Sequence, residues 1–277
     1  MINIFHEVSS LCSKITTRKY STSFSSAIKL LHKDLQQPIY NIYGFVRFAD
    51  EIVDTFPHDQ ALLLSEFKDE TYKAIQRKIS LNPILNSFQQ SVNKYNIKLP
   101  LIDAFFSSME FDLEKKVYDN TMYNEYIYGS AEVVGLMCLQ VFCNGNQEKC
   151  LKLQPYAQSL GAAFQKVNFL RDAKADYENL NRTYFPGADF SNFTHEMKAQ
   201  IENDIAIDFN KAYEGILMLP VTCRFGVYVA YKYYLSLFKK IKRTRATHIL
   251  EQRIRIPNYS KAFIIARAGI KNQLNLI

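Results

Sequence analysis

The chain has 277 residues, 48% of them hydrophobic, which is enough for a sizeable core and excludes disorder as its main state. Only 9 glycines and 8 prolines punctuate it, which disfavours the many turns of an all-β fold and leaves long stretches for helices. The formal net charge is +7, and the five cysteines (Cys12, Cys138, Cys143, Cys150 and Cys223) form no CxxC pair and are odd in number, so they suggest neither a zinc site nor a complete disulfide framework.

Along the chain, the N-terminal stretch lacks the apolar core and small-residue cleavage site of a signal peptide, which predicts a cytoplasmic protein. Short breaks at Pro57, Asn82-Pro83, Leu99-Pro100, Asn144 to Asn146, Pro186-Gly187, Pro220 and Pro257-Asn258 separate segments with apolar residues at helical spacing. Ile39, Ile42, Val46 and Val53 mark one such segment, and Leu160, Phe164, Val167 and Leu170 mark another. Between them, Val133 to Cys143 is the most apolar run, but it is too short to cross a membrane and reads as a buried helix. The excess positive charge falls late, in KKIKRTR from Lys239 to Arg245, a patch that predicts peripheral contact with an anionic inner membrane surface. Its aromatics are not interleaved with basic residues as a nucleic-acid stacking platform requires, so no nucleic-acid partner is expected. The pattern predicts an all-α fold of around ten helices, in one domain spanning 1–277.

Two of these segments carry chemistry. IYNIYGFVRFADEIVDTF places Arg47, Asp50 and Asp54 on an otherwise apolar helix, with the two Asp carboxylates four residues apart, about 6 Å along the axis. FQKVNFLRDAKADYENLNRTYFP repeats the arrangement with Arg171, Asp172 and Asp176, and Asn168 stands four residues before Asp172. Paired carboxylates beside apolar surface are costly unless positive charge compensates them. Carboxylates without His or Cys suit a hard ion such as Mg²⁺, with Mn²⁺ as the alternative, and the neighbouring arginines suit phosphate. Together they describe a diphosphate site, and the 18 Tyr and 20 Phe supply aromatic faces that can stabilise a carbocation without attacking it.

The same segments, with YSTSFSSAIKLL (Tyr20 to Leu31), YIYGSAEVVG (Tyr126 to Gly135), YYLSLF (Tyr233 to Phe238) and LEQRIRIP (Leu250 to Pro257), resemble the squalene/phytoene synthase family over nearly the whole chain. The resemblance implies an isoprenoid-synthase helical fold with a central active-site cavity. It implies that Asp50, Asp54, Asp172 and Asp176 bind the metal cluster. Ser21, Arg47, Gln165, Asn168, Arg171 and Arg253 would hold the diphosphates, and Tyr43, Tyr128, Tyr184 and Tyr234 would surround the reacting ends. The implied reaction joins two isoprenoid diphosphates head to head through a cyclopropyl diphosphate.

Two positions depart from the usual family pattern. Glu51 follows Asp50 where many relatives have Asp-Asp, a variant found in phytoene-type members, and Glu132 stands where Gly is common and is expected on the surface. Phytoene formation from two geranylgeranyl diphosphates, without NADPH, is therefore the expected reaction. Its rivals are squalene or dehydrosqualene formation from farnesyl diphosphate and a non-catalytic binding relative, whose signature would be loss of the Asp motifs.

Overall fold

The computed structural model describes residues 2–113, 118–180, 184–187, 193–251 and 253–274, and leaves the side chains of 175–180 undescribed. Among the described residues there are thirteen α-helices and no strand. In chain order they are α1 (Ile2–Tyr20), α2 (Thr22–Ile28), α3 (Lys33–Asp54), α4 (Gln60–Arg77), α5 (Pro83–Tyr95), α6 (Leu99–Asp112), α7 (Asn120–Ile127), α8 (Val133–Phe142), α9 (Gln147–Leu180), α10 (His195–Met218), α11 (Val221–Arg243), α12 (Ala246–Ile249) and α13 (Asn258–Gln273). A single π-helical turn, Tyr128–Glu132, joins α7 to α8.

The count exceeds the expected ten because segments that read as continuous are broken by single residues. Ser21 is one such break: its backbone is extended (φ −141°, ψ 104°), and its hydroxyl accepts from the Phe24 N–H at 3.1 Å, ending α1 and capping α2. Asn82 caps α5 in the same way, accepting from Ile84 N at 3.0 Å, with Pro83 in the first turn where its missing N–H costs nothing.

α3 is buried on both sides, and this positions the site. One face carries Phe45, Ala49 and Val53 into the core, where the Phe45 ring stacks on Phe88 of α5 (centroids 3.9 Å, 3° apart) and meets Phe105 and Phe106 of α6. Each of these four rings is fully buried, worth about 2–3 kcal/mol apiece. The opposite face of α3 is turned toward α9, which runs for 34 residues, about 51 Å. Close approach is secured by glycine at two places. A Cβ on Gly161 of α9 would stand 2.7 Å from the Ala131 carbonyl oxygen, and one on Gly44 of α3 would stand 2.8 Å from Ser13 Oγ.

Against α3 and α5, α1 packs through its hydroxyls. Ser9, Ser13 and Thr17 are fully buried; Ser13 Oγ lies 2.6 Å from Ser87 Oγ, and Asn86 Nδ2 donates to Ser9 Oγ at 2.9 Å. The apolar side of α1, with Ile4, Val8, Leu11 and Ile15, faces outward. No described helix is long and apolar enough to cross a membrane.

Candidate active site

A cavity of about 540 Å³ opens between α3 and α9 and extends down to α10 and α11. On α3 it is lined by Tyr43, Arg47, Asp50 and Asp54, spaced 4, 3 and 4 residues apart, which puts all four on one stripe. On α9 the matching stripe is Phe164, Gln165, Asn168, Arg171 and Asp172. The two polar stripes meet at the mouth, where Ser21 and Arg253 also line the cavity. Asp176 continues the α9 stripe by one turn, and its side chain lies outside the described residues. Deeper, the walls turn apolar with Leu31, Ile39, Leu139, Leu153, Leu160 and Ile216.

The arginines and carboxylates at the mouth are already paired. Arg171 Nε donates to both Asp172 oxygens at 3.1 Å, and Arg253 Nε reaches Asp172 Oδ1 at 2.7 Å from the far side of the mouth. Arg47 bonds Glu51 and stacks its guanidinium over the Tyr20 ring at 4.4 Å, while standing 3.8 Å from Asp50. The Asp50 side chain keeps 32% of its surface accessible, through the cavity, yet protein surrounds it at longer range. That enclosure pushes its pKa to about 7; Arg47 opposes the rise, and the carboxylates of Asp54 and Asp112 reinforce it.

Below the mouth, aromatic rings form two groups. Phe164 stacks on Tyr234 (3.8 Å, 15°), and Phe24 lies beside both and beside Tyr43 at 5.7 to 6.1 Å. Across α9, Phe169 stacks on Tyr184 (4.1 Å, 9°), which in turn stacks on Tyr126 at 5.2 Å. Burial pushes the Tyr43 hydroxyl up to about 12, so it stays a neutral phenol at physiological pH.

A profile of the squalene/phytoene synthase family matches residues 17–260. The chain belongs to that family. It is 25% identical to a 4,4'-diapophytoene synthase of Staphylococcus haemolyticus over 68% of this chain and 65% of that protein. It is also 25% identical to a presqualene diphosphate synthase of Rhodopseudomonas palustris, over 60% and 58%, and to a phytoene synthase of Arthrospira platensis, over 94% and 92%. The chain thus spans less than two thirds of the length of the first two relatives. In fold it is similar to a dehydrosqualene synthase in complex with a ligand (TM-score 0.83, 19% identity, 98% of both chains). A squalene synthase from Alicyclobacillus acidocaldarius is also similar (TM-score 0.75, 18% identity, 87% of this chain and 95% of that one).

Of the family-type residues inferred from sequence, the cavity gathers Ser21, Tyr43, Arg47, Asp50, Asp54, Gln165, Asn168, Arg171, Asp172, Tyr184, Tyr234 and Arg253. Tyr128 is placed elsewhere: it is 37% exposed and outside the lining, and Tyr126 takes the cavity face instead. Residues two positions apart on a helix point about 200° apart, so only one of this pair can face inward. Glu132, expected on the surface, is half-buried and accepts from Gln158 Nε2 of α9 at 2.8 Å; burial raises its pKa. Sequence reasoning missed Asp112 of α6, which lines the cavity, is nearly buried, and accepts from the Tyr126 hydroxyl at 2.9 and 3.0 Å.

The residues present fit a divalent ion held jointly with a ligand. Asn168, which lines the polar mouth, has a buried Oδ1 with no hydrogen-bond partner among the described residues, a hard oxygen suited to such an ion. Among the described residues no three His, Cys, Asp or Glu side chains converge on one point. The carboxylates instead ring the mouth, an arrangement that leaves coordination positions for phosphate oxygens rather than forming an all-protein cage.

Proposed function

We propose that the protein joins two geranylgeranyl diphosphates head to head into phytoene, through a cyclopropyl diphosphate, without a nicotinamide cofactor. The observation that carries this reading is the polarity gradient of the cavity between α3 and α9, an Asp and Arg mouth above an aromatic middle and an aliphatic floor. Depth favours the longer substrate. From Asp172 to Leu153 the α9 lining covers nineteen residues, about 28 Å. Four extended isoprene units span about 20 Å and three about 15 Å, so the longer chain fills more of this length.

Asp50, Asp54, Asp172, Asp176 and Asn168 would hold Mg²⁺ or Mn²⁺, which when bound supplies Lewis-acid stabilisation to a departing diphosphate. Arg47, Arg171 and Arg253 orient phosphate oxygens by charge-assisted hydrogen bonds, and Ser21 and Tyr43 add neutral donors. Ionisation of one allylic diphosphate leaves a cation that the alkene of the second substrate captures. Loss of a proton closes the cyclopropane. The second diphosphate then leaves, the ring rearranges, and loss of a further proton gives the triene centre. The rings of Phe24, Phe164 and Tyr234 on one side and of Tyr126, Phe169 and Tyr184 on the other present π-faces to these cations and keep water out.

The test is to incubate the purified protein with Mg²⁺ and either geranylgeranyl or farnesyl diphosphate, without NADPH, and to identify the hydrocarbon by mass. A C40 triene from the longer substrate is expected. Turnover of farnesyl diphosphate alone would move the protein to the dehydrosqualene type, and no hydrocarbon from either would refute the catalytic reading.

A further inference from the structure

The last helix presents its apolar side to solvent. Along α13, Tyr259, Phe263, Ile270 and Leu274 are 77%, 67%, 60% and 63% exposed, and Ala262 and Ala266 fill the stripe between them. These positions follow the 3, 4, 7, 11 and 15 spacing of a single helical face, about 24 Å long, with Leu274 capping the helix. The opposite face is also apolar and is already used: Ala268 is buried, and Ile264 and Ile265 pack against the core. A contiguous exposed apolar face of this kind marks a surface that meets something.

The charges around the stripe say what. Arg267 and Lys271 flank it along one side of α13, and Lys232 of α11 stands close enough to Lys271, Lys239 and Arg267 for their fields to add. From Gly215 to the C-terminus there are twelve Lys and Arg and a single acidic residue, Glu251. A second copy docked face to face would bring these cations against their own images. An anionic surface complements them. The basic run at the end of α11 is less suited to insertion, because its only apolar member, Ile241, is fully buried and Lys240 is engaged with the Arg255 carbonyl.

We propose that α13 is the docking element of this protein on an anionic lipid bilayer, lying in the interface with Tyr259, Phe263, Ile270 and Leu274 inserted and Arg267 and Lys271 at headgroup level. Its N-terminal end stands at the cavity mouth: Lys261 Nζ donates to Thr22 Oγ1 at 2.7 Å, beside the cavity-lining Ser21, and Arg253, five residues before α13, lines the mouth itself. Docking through α13 therefore sets the mouth next to the bilayer surface. Amphipathic interfacial helices bind by this combination of buried apolar area and attraction to anionic lipid.

The experiment is co-sedimentation of the full chain with vesicles of phosphatidylcholine alone and of phosphatidylcholine mixed with phosphatidylglycerol; it reads binding and does not depend on turnover. Wild type should bind the mixed vesicles and not the neutral ones. The Tyr259→Ser, Phe263→Ser, Ile270→Ser triple variant should lose at least about tenfold in partitioning. Arg267→Gln with Lys271→Gln should lose about twenty-five-fold, near fivefold per charge. The exposed apolar controls Leu62→Ser and Leu81→Ser, on other surfaces, should bind as wild type. Because the chain has no Trp, Phe263→Trp introduces its only indole, whose emission should shift to the blue on mixed vesicles and be quenched by brominated lipid. Equal binding of wild type and the triple variant, an unshifted indole, or binding to neither vesicle would overturn the proposal. A lipid-free dimer that the triple variant dissolves would overturn it too, assigning the face to a second copy.

Discussion

On α9, Asp172 lies between two guanidinium groups, Arg171 and Arg253, both in direct contact with it. On α3, Asp50 has a single arginine 3.8 Å away, itself bonded to Glu51, and two further carboxylates, Asp54 and Asp112, acting on it. The two motifs look alike in sequence, Arg beside paired Asp, yet Asp172 is in direct contact with two guanidinium groups while Asp50 is enclosed beside one at longer range. On α3 burial and the nearby carboxylates push the Asp50 pKa up while Arg47 opposes them, and on α9 the arginines are ones that a phosphate can draw away from Asp172. Under the proposed function, a metal ion would relieve Asp50 most, and Arg171 and Arg253 would grip the diphosphate.

The largest expected effect comes from removing either carboxylate. Asp50→Ala and Asp172→Ala should each keep less than about a tenth of wild-type kcat, at least about 1.4 kcal/mol in barrier, while circular dichroism reports an unchanged helical fold. Activity of either variant near the wild-type level would remove the metal assignment.

Arg253→Gln should separate the two sides. It frees Asp172 from one guanidinium and takes one donor from the phosphates, so KM for the diphosphate should rise by about tenfold with a smaller change in kcat. Steady-state kinetics showing a pure kcat loss would place Arg253 with the metal set instead.

A smaller effect concerns stability. The folded-state pKa of Asp50, near 7, lies above the ordinary carboxyl value, so its protonated form favours folding. That contribution is complete below the unfolded value and is lost as pH rises through the folded one. In metal-free protein, Asp50→Asn should therefore gain more Tm over wild type at about pH 8 than at about pH 5, by about 1 kcal/mol or roughly 2–4 °C. An equal Tm difference at both values would show that Asp50 ionises without cost.

Much of this site was legible because its signals are local. The α3 stripe of Tyr43, Arg47, Asp50 and Asp54 and the α9 stripe of Gln165, Asn168 and Asp172 follow directly from helical period. Asp112 was not legible: it is a lone acid near the end of α6, in the polar run FDLEKK, and only the approach of α6 to α3 gives it meaning. Tyr126 and Tyr128 stand in one short motif, and which of them faces inward depends on the phase of α7 as it enters the π-helical turn. The same limit applies to α1 and α13. Periodicity shows where a helix is apolar, but not whether that face is packed, and in both helices the exposed face turns out to be apolar.

The comparison rests on metal and diphosphate entering the mouth together, and calorimetry with inorganic diphosphate tests that most directly. Mg²⁺ alone should give little heat, diphosphate alone should bind weakly through the arginines, and the two together should bind at least about tenfold more tightly, a gain that Asp50→Asn abolishes. Tight Mg²⁺ binding without diphosphate, or diphosphate binding indifferent to Mg²⁺, would contradict the account.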